Sequence, residues 1–346
     1  MLGLVLWLFV GCGSEEGLSP SSDNPVITAA PEDSTGAADS LTIPTDSAGL
    51  TPTDSSGLTP TDTTAPTDST PVISTLGASA GGIVFGTIQL PTSMLNTVHT
   101  GTLYGGQIDQ ANALSLLTAT RAKGGRLIIK MSMGADTWIK NADGTFSFTK
   151  WKLRVDRFKK VNLAPFIADG TIEGHYLIDE PYRTVRWGGK VVSQATIEAM
   201  AKYSKSIWPG MPTFVRVVPS WMEAAPVTYI HLDAAWLQYE GRGDVTKILT
   251  AEVAAAKRKG LGLAVGLNVL DGGNGTSKIA GWTRGKYAMS ASEVRSYGTV
   301  LLNHAYTCTF YNWMWDSPYY GRADVKAALS ELATKARNHI KTSCRQ

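Results

Sequence analysis

Carboxylates gather where β-rich runs stop. Asp179-Glu180-Pro181 closes the run 172–179, Glu240 follows Tyr239 at the end of 232–239, Asp271 follows 261–269, and Asp316 follows 307–315. Gln89 follows the opening run 83–88, and Arg216 lies within the run 213–218. Aromatic side chains share these ends at Tyr239, Trp313 and Trp315. A pair of carboxylates is what acid–base chemistry on an acetal requires, one to protonate the leaving oxygen and one to act as nucleophile or base. Neighbouring carboxylates raise one another's proton affinity, which keeps one protonated near neutral pH. Flat aromatic faces suit the C–H surfaces of sugar rings, and amides and carboxylates suit their hydroxyls.

The alternatives for these residues are structural. Asp179-Glu180 also reads as a helix N-cap pair with Pro181 in the first turn. Glu240 can pair with Arg242 or Arg216. Trp313 and Trp315 lie two apart, so in a continued strand they share a face. The five His residues form no close-spaced pair, so no metal site and no cofactor is expected. No Gly-x-Ser-x-Gly elbow is present.

These positions need elements to hold them. Seven strand-like runs, at 83–88, 126–132, 172–179, 213–218, 232–239, 261–269 and 307–315, alternate with helical runs at 107–122, 151–166, 194–207, 245–259, 291–303 and 323–340. Alternation implies parallel pairing through right-handed crossovers. The expected fold is α/β, a (β/α)₈ TIM barrel, with its eighth strand at 145–148 or within 271–289. A doubly wound sheet is the alternative, weakened because Gly81-Gly82 precedes the first strand rather than following it. In a barrel the chemistry sits at the carboxyl ends of the strands, where the residues above fall.

Composition divides the 346 residues in two. Residues 1–76 hold ten acids and no Lys, Arg or His, so all 32 basic residues and the other 19 of the 29 acids lie in 77–346. The formal charges are about −10 and about +13. Segment 13–76 is rich in Ser, Thr, Pro and Asp, with an eight-residue repeat at 49–56 and 57–64. Such a segment cannot bury a core and reads as a disordered tether. The body 77–346 is ample for one large core. Its basic runs fall on helices, and no aromatic–basic nucleic-acid module is present. Oligomeric state is not legible.

Two resemblances follow from motifs. Apolar Met1–Val10 followed by Gly11-Cys12 resembles a bacterial lipoprotein signal peptide. That resemblance implies lipidation of Cys12, a domain boundary at 12, and export with a lipid anchor to the cell envelope, at the outer membrane or cell surface. Outside the cytoplasm Cys308 and Cys344 can form a disulfide. The strand-terminal apolar-Asp-Glu-Pro of 178–181 resembles the acid/base strand of TIM-barrel glycoside hydrolases, many of which carry Asn-Glu-Pro there. Adjacent Asp-Glu is similar to the N-acetylhexosaminidase-type families. The resemblance implies a glycoside hydrolase with a carbohydrate substrate. Glu180 would be the general acid, and Asp179 would orient the substrate or raise the acid's proton affinity. The second carboxylate is Glu240 or Asp271, and Tyr239, Trp313, Trp315, Asp316, Arg216 and Gln89 would line the sugar site. A non-catalytic carbohydrate- or surface-binding barrel is the alternative.

Overall fold

A computed structural model of the chain describes residues 82–132, 134–340 and 343–345. The expected signal segment 1–12 with Cys12 and the expected tether 13–76 lie outside these residues. Eight parallel strands close into a barrel in sequence order. They are β1 (Phe85–Ile88), β2 (Gly101–Tyr104), β3 (Arg126–Ile129), β4 (Ile172–Asp179), β5 (Thr213–Arg216), β6 (Ala234–Tyr239), β7 (Gly262–Leu267) and β8 (Thr307–Asn312). The helices are α1 (Ala113–Ala122), α2 (Phe148–Asp156), α3 (Ala164–Ala168), α4 (Gln194–Ile207), α5 (Pro219–Glu223), α6 (Val245–Lys259), α7 (Ala291–Asn303), α8 (Ser317–Gly321) and α9 (Ala323–Arg337). The (β/α)₈ expectation holds and the doubly wound alternative falls. Among the described residues no helix is long and apolar enough to cross a membrane.

The eighth strand is β2, at neither expected place. Residues 145–148 contribute one antiparallel bridge, Lys140 to Phe146, and then enter α2. Residues 271–289 form a loop held by bridges of Tyr287 to Gly273 and Ala280. The expected helix 151–166 is also broken, into α2, a 3₁₀ turn at Arg157–Lys160, and α3. Pro165 sits in the first turn of α3, where a missing N–H costs nothing; inside a continuous helix it would break the hydrogen-bond ladder.

Strand alternation sorts side chains into two layers. Inward residues include Tyr176, Phe214, Ala234, Trp236, Ala264 and Tyr311. Outward residues pack under the helices in two clusters, one around Trp151, Phe158 and Trp187 and one around Leu249, Val265, Phe310 and Leu329. Tyr311 fills the barrel because Gly86 and Gly101 lack side chains: a Cβ on Gly86 would stand 2.3 Å from its ring, and one on Gly101 2.6 Å from its hydroxyl. That hydroxyl donates to Glu173 at the entry of β4. Cys308 and Cys344 are joined by a disulfide spanning 36 residues, with Cα atoms 4.9 Å apart.

Candidate active site

β4 delivers Asp179 and Glu180 to the carboxyl end of the barrel. Asp179 pairs in register with Arg216 of β5. Glu180 follows with φ +46°, a left-handed conformation that a side chain rarely adopts. Its carbonyl holds the next turn, accepting from Arg183 N at 3.1 Å and Trp187 Nε1 at 3.0 Å. A 3₁₀ turn, Thr184–Trp187, follows, and the next α-helix begins only at Gln194 under its own cap, Ser193. Asp179-Glu180 is therefore not a helix cap.

Both carboxylates lie in a network of cations. Arg216 Nε donates to Asp179 Oδ1, its Nη1 to Gln238 Oε1 at 2.7 Å, and its Nη2 pairs with Glu180 Oε1 at 3.0 Å. Arg186 Nη1 bridges Asp179 Oδ2 at 2.7 Å and Glu180 Oε2 at 3.1 Å, while its Nε donates to Asp136 Oδ2 at 2.5 Å. Arg183 Nη1 donates to Glu180 Oε2 at 2.7 Å. Lys130 Nζ donates to Asp136 Oδ1 at 3.3 Å, and the Tyr176 hydroxyl to Asp179 Oδ1 at 2.7 Å. Burial would raise Asp179's proton affinity, but Arg216 and Arg186 outweigh it and hold the group well below the ordinary Asp value. The arginines respond in kind: burial disfavours their charge, and their acidic neighbours together, Asp179 foremost, more than restore it.

Glu240, after β6, is exposed and has no ion pair among the described residues. Burial raises the proton affinity of the Tyr182 phenol, and the charges of Glu180 and Glu240 raise it further. Asp271, after β7, is occupied. Its Oδ1 accepts from Thr283 N at 2.8 Å and its Oδ2 from Thr283 Oγ1 at 2.6 Å, fixing the turn that presents Trp282. The loops after β6 and β7 meet backbone to backbone. A Cβ on Gly241 (φ +71°) would stand 1.8 Å from Gly272 O, so only glycine fits there.

Other expected residues take different places. Tyr239 faces outward: its ring packs edge-on against Tyr297, and its hydroxyl donates to Gly243 O at 2.7 Å. Its neighbour Gln238 faces inward and holds Arg216. Trp313 and Trp315 lie beyond the end of β8 at Asn312, so strand alternation does not put them on one face, and their neighbours differ. Trp313 meets Trp282 edge-on at 6.3 Å, whereas Trp315 packs on Tyr320 at 5.0 Å and near His99 at 6.5 Å. Asp316 caps α8, accepting from Tyr319 N at 2.8 Å. Gln89 is exposed at the exit of β1 with φ +61°. Sequence reasoning missed Lys130, Asp136, Arg183 and Arg186. The one readable signal was the spacing of Glu180 and Arg183, three apart across a turn. Trp138, Tyr182, Trp282 and Tyr287, rather than Tyr239, are among the exposed aromatics. Among the described residues no group of three or more His, Cys, Asp or Glu could hold a metal ion.

No family model and no curated protein matches the chain. Solved structures with a similar fold include xylanase 10B from Thermotoga petrophila RKU-1, 10% identical, covering 75% of this chain and 95% of that one, with a TM-score of 0.49. Another is PbGH5A, a glycoside hydrolase family 5 enzyme from Prevotella bryantii B14, 13% identical, covering 73% and 88%, with a TM-score of 0.42. A third is the glycoside hydrolase domain of PelA from Pseudomonas aeruginosa, 11% identical, covering 67% and 95%, with a TM-score of 0.39. The barrel itself is established by the strand pairing above.

Proposed function

We propose that the barrel is a glycoside hydrolase acting on a poly- or oligosaccharide at its carboxyl mouth. The chain would be anchored to the cell envelope by lipid on Cys12, with 13–76 as the tether. The observation that carries the catalytic part is that β4 and β6 deliver Glu180 and Glu240 to the same carboxyl end of the barrel, where strand exits present their side chains. The network changes the division of labour. Glu180 accepts from guanidinium groups on both oxygens, which suits the base or nucleophile of the reaction better than its proton donor. Glu240, standing in water, takes the proton-donor part.

The test is the full chain in detergent, as wild type, Glu180→Gln and Glu240→Gln, incubated with a polysaccharide panel, with released sugars read by mass spectrometry. Glu180→Gln should lose release by roughly 100-fold or more. Glu240→Gln should also fall, but recover on aryl glycosides whose leaving groups need no proton. Equal release by wild type and Glu180→Gln would remove Glu180 from the chemistry. The anchor is tested separately: Cys12→Ser should move the protein from the membrane to the soluble fraction.

A second reading, a glycan-binding barrel without catalysis, is favoured by one observation: every oxygen of Asp179 and Glu180 is already engaged. It predicts retention of one glycan by wild type and Glu180→Gln alike, with no release.

A further inference from the structure

The mouth network is asymmetric in what it has left to offer. All six oxygens of Asp136, Asp179 and Glu180 accept from a cation. The cations are not used up. Arg183 engages only Nη1, and its side chain is 51% exposed. Its Nε and Nη2 make no hydrogen bond to any described residue, nor does Nη2 of Arg186. Within the network four cations, Lys130, Arg183, Arg186 and Arg216, face three carboxylates. Glu240 makes the formal count even, but it stands in water outside these pairs, where its charge is screened. A neutral sugar hydroxyl both donates and accepts, and here every carboxylate oxygen of the network already shares a lone pair with a cation. A carboxylate or sulfate only accepts, and its geometry matches the guanidinium fork.

We propose that the mouth selects a glycan bearing carboxylate or sulfate groups, and that Arg183, backed by Arg186, is the residue that reads the charge. This rests on the reading of the mouth as a carbohydrate site, whether or not cleavage follows. Arg183 then has a double position: it spans the buried Glu180 and the solvent, so a ligand anion binds at the edge of the Asp179–Glu180 pair. The surrounding connections supply further positive charge at long range, with Lys278, Arg284 and Lys286 on the loop after β7 and Lys190 after β4.

The test uses the full chain in detergent and matched probes. Polygalacturonate, alginate and hyaluronan are each compared with their carboxyl-reduced forms, and chondroitin sulfate with its desulfated form. Binding is measured by affinity electrophoresis at low and physiological salt, and release is read in parallel. The expected result is at least tenfold tighter binding to one charged probe than to its neutral counterpart. Arg183→Gln should lose about tenfold on the charged probe and little on the neutral one, with Arg183→Lys between them. The uronate and sulfate arms tell which anion is read. A control variant, Lys202→Gln/Lys247→Gln/Lys326→Gln, removes exposed charges on the outer helices and should leave binding unchanged.

Equal binding of charged and neutral members, no binding to any probe, or loss in the helix control but not in Arg183→Gln would each overturn the proposal. The two readings fail separately. Release from neutral glycans alone would sink the charge selection and keep the hydrolase. Charge-selective binding without release from any glycan would keep the selection and sink the hydrolase.

Discussion

The two ends of β4 carry acids in opposite states. At the entry, Glu173 lies beside Tyr311; burial raises its proton affinity, more than Thr309, Tyr311 and the charge of Arg126 lower it. At the exit, burial acts on Asp179 too, yet Arg216 and Arg186 drive its proton affinity down. Five residues of one strand separate a carboxyl pushed toward its neutral form from one pushed toward its charged form. Burial alone therefore does not fix the charge of an acid in this barrel; the partner does. The entry end is built by packing, with two glycines making way for one tyrosine. The exit end is built by ion pairs and keeps donors facing solvent.

The contrast breaks first at Arg216. Arg216→Met leaves two enclosed carboxylates short of a partner, and chemical denaturation at neutral pH should show a loss of about 3–5 kcal/mol; a loss below about 1 kcal/mol would mean the arginine does not set the state of this end. Asp179→Asn comes next, at about 2–3 kcal/mol at neutral pH. The folded proton affinity of Asp179 is depressed, so its contribution is present above the ordinary Asp value of about 3.8 and is lost as pH falls toward the folded value. The difference between wild type and Asp179→Asn should therefore shrink on acidification below about pH 4, and a difference independent of pH would contradict the ion-pair account.

At the entry end the effects should be smaller and differ in kind. Gly101→Ala places a methyl against Val84 and the Tyr311 hydroxyl. Overpacking of this sort should cost about 1–2 kcal/mol with little pH dependence, read from thermal unfolding at two pH values. Glu173→Gln should change stability by less than about 1 kcal/mol at pH 5 and become relatively more favourable as pH rises. The folded proton affinity is raised, so above about pH 4.5 the unfolded chain ionises first and wild-type stability falls with pH, a penalty that glutamine does not pay. A Glu173→Gln variant that loses ground as pH rises would reverse the sign assigned to this end.

Much of this was legible in the chain. α4, α6 and α7 have the expected bounds, because each has a helical apolar period and a clear start or stop: Ser193 before α4, Asp244 and Gly260 around α6, and the reciprocal Ser290–Glu293 cap of α7. β4 was also read to its ends. β2 was not, because four residues beginning with glycine give too short an apolar signal, and that glycine is there for Tyr311, a residue of β8. Asp179, Glu180 and Arg216 were found by asking what ends each strand. Tyr239 was misplaced by one residue: on β6 the inward positions are 234, 236 and 238, and a slip of one moves a side chain to the other face. Asp136, Arg183 and Arg186 sit on connections, where no periodicity marks them, and only folding brings Asp136 to Arg186 across 50 residues.

The contact of Gly241 with Gly272 has a consequence for variation. Two barrel loops are usually exchangeable units, each altered without regard to the other. Here the connections after β6 and β7 share a single seam with no room for a methyl group. Diversification of one, by natural drift or by grafting in the laboratory, must carry the other with it. Glu240 and the Asp271-anchored turn that bears Trp282 are thus inherited together, as one exchangeable cassette rather than two.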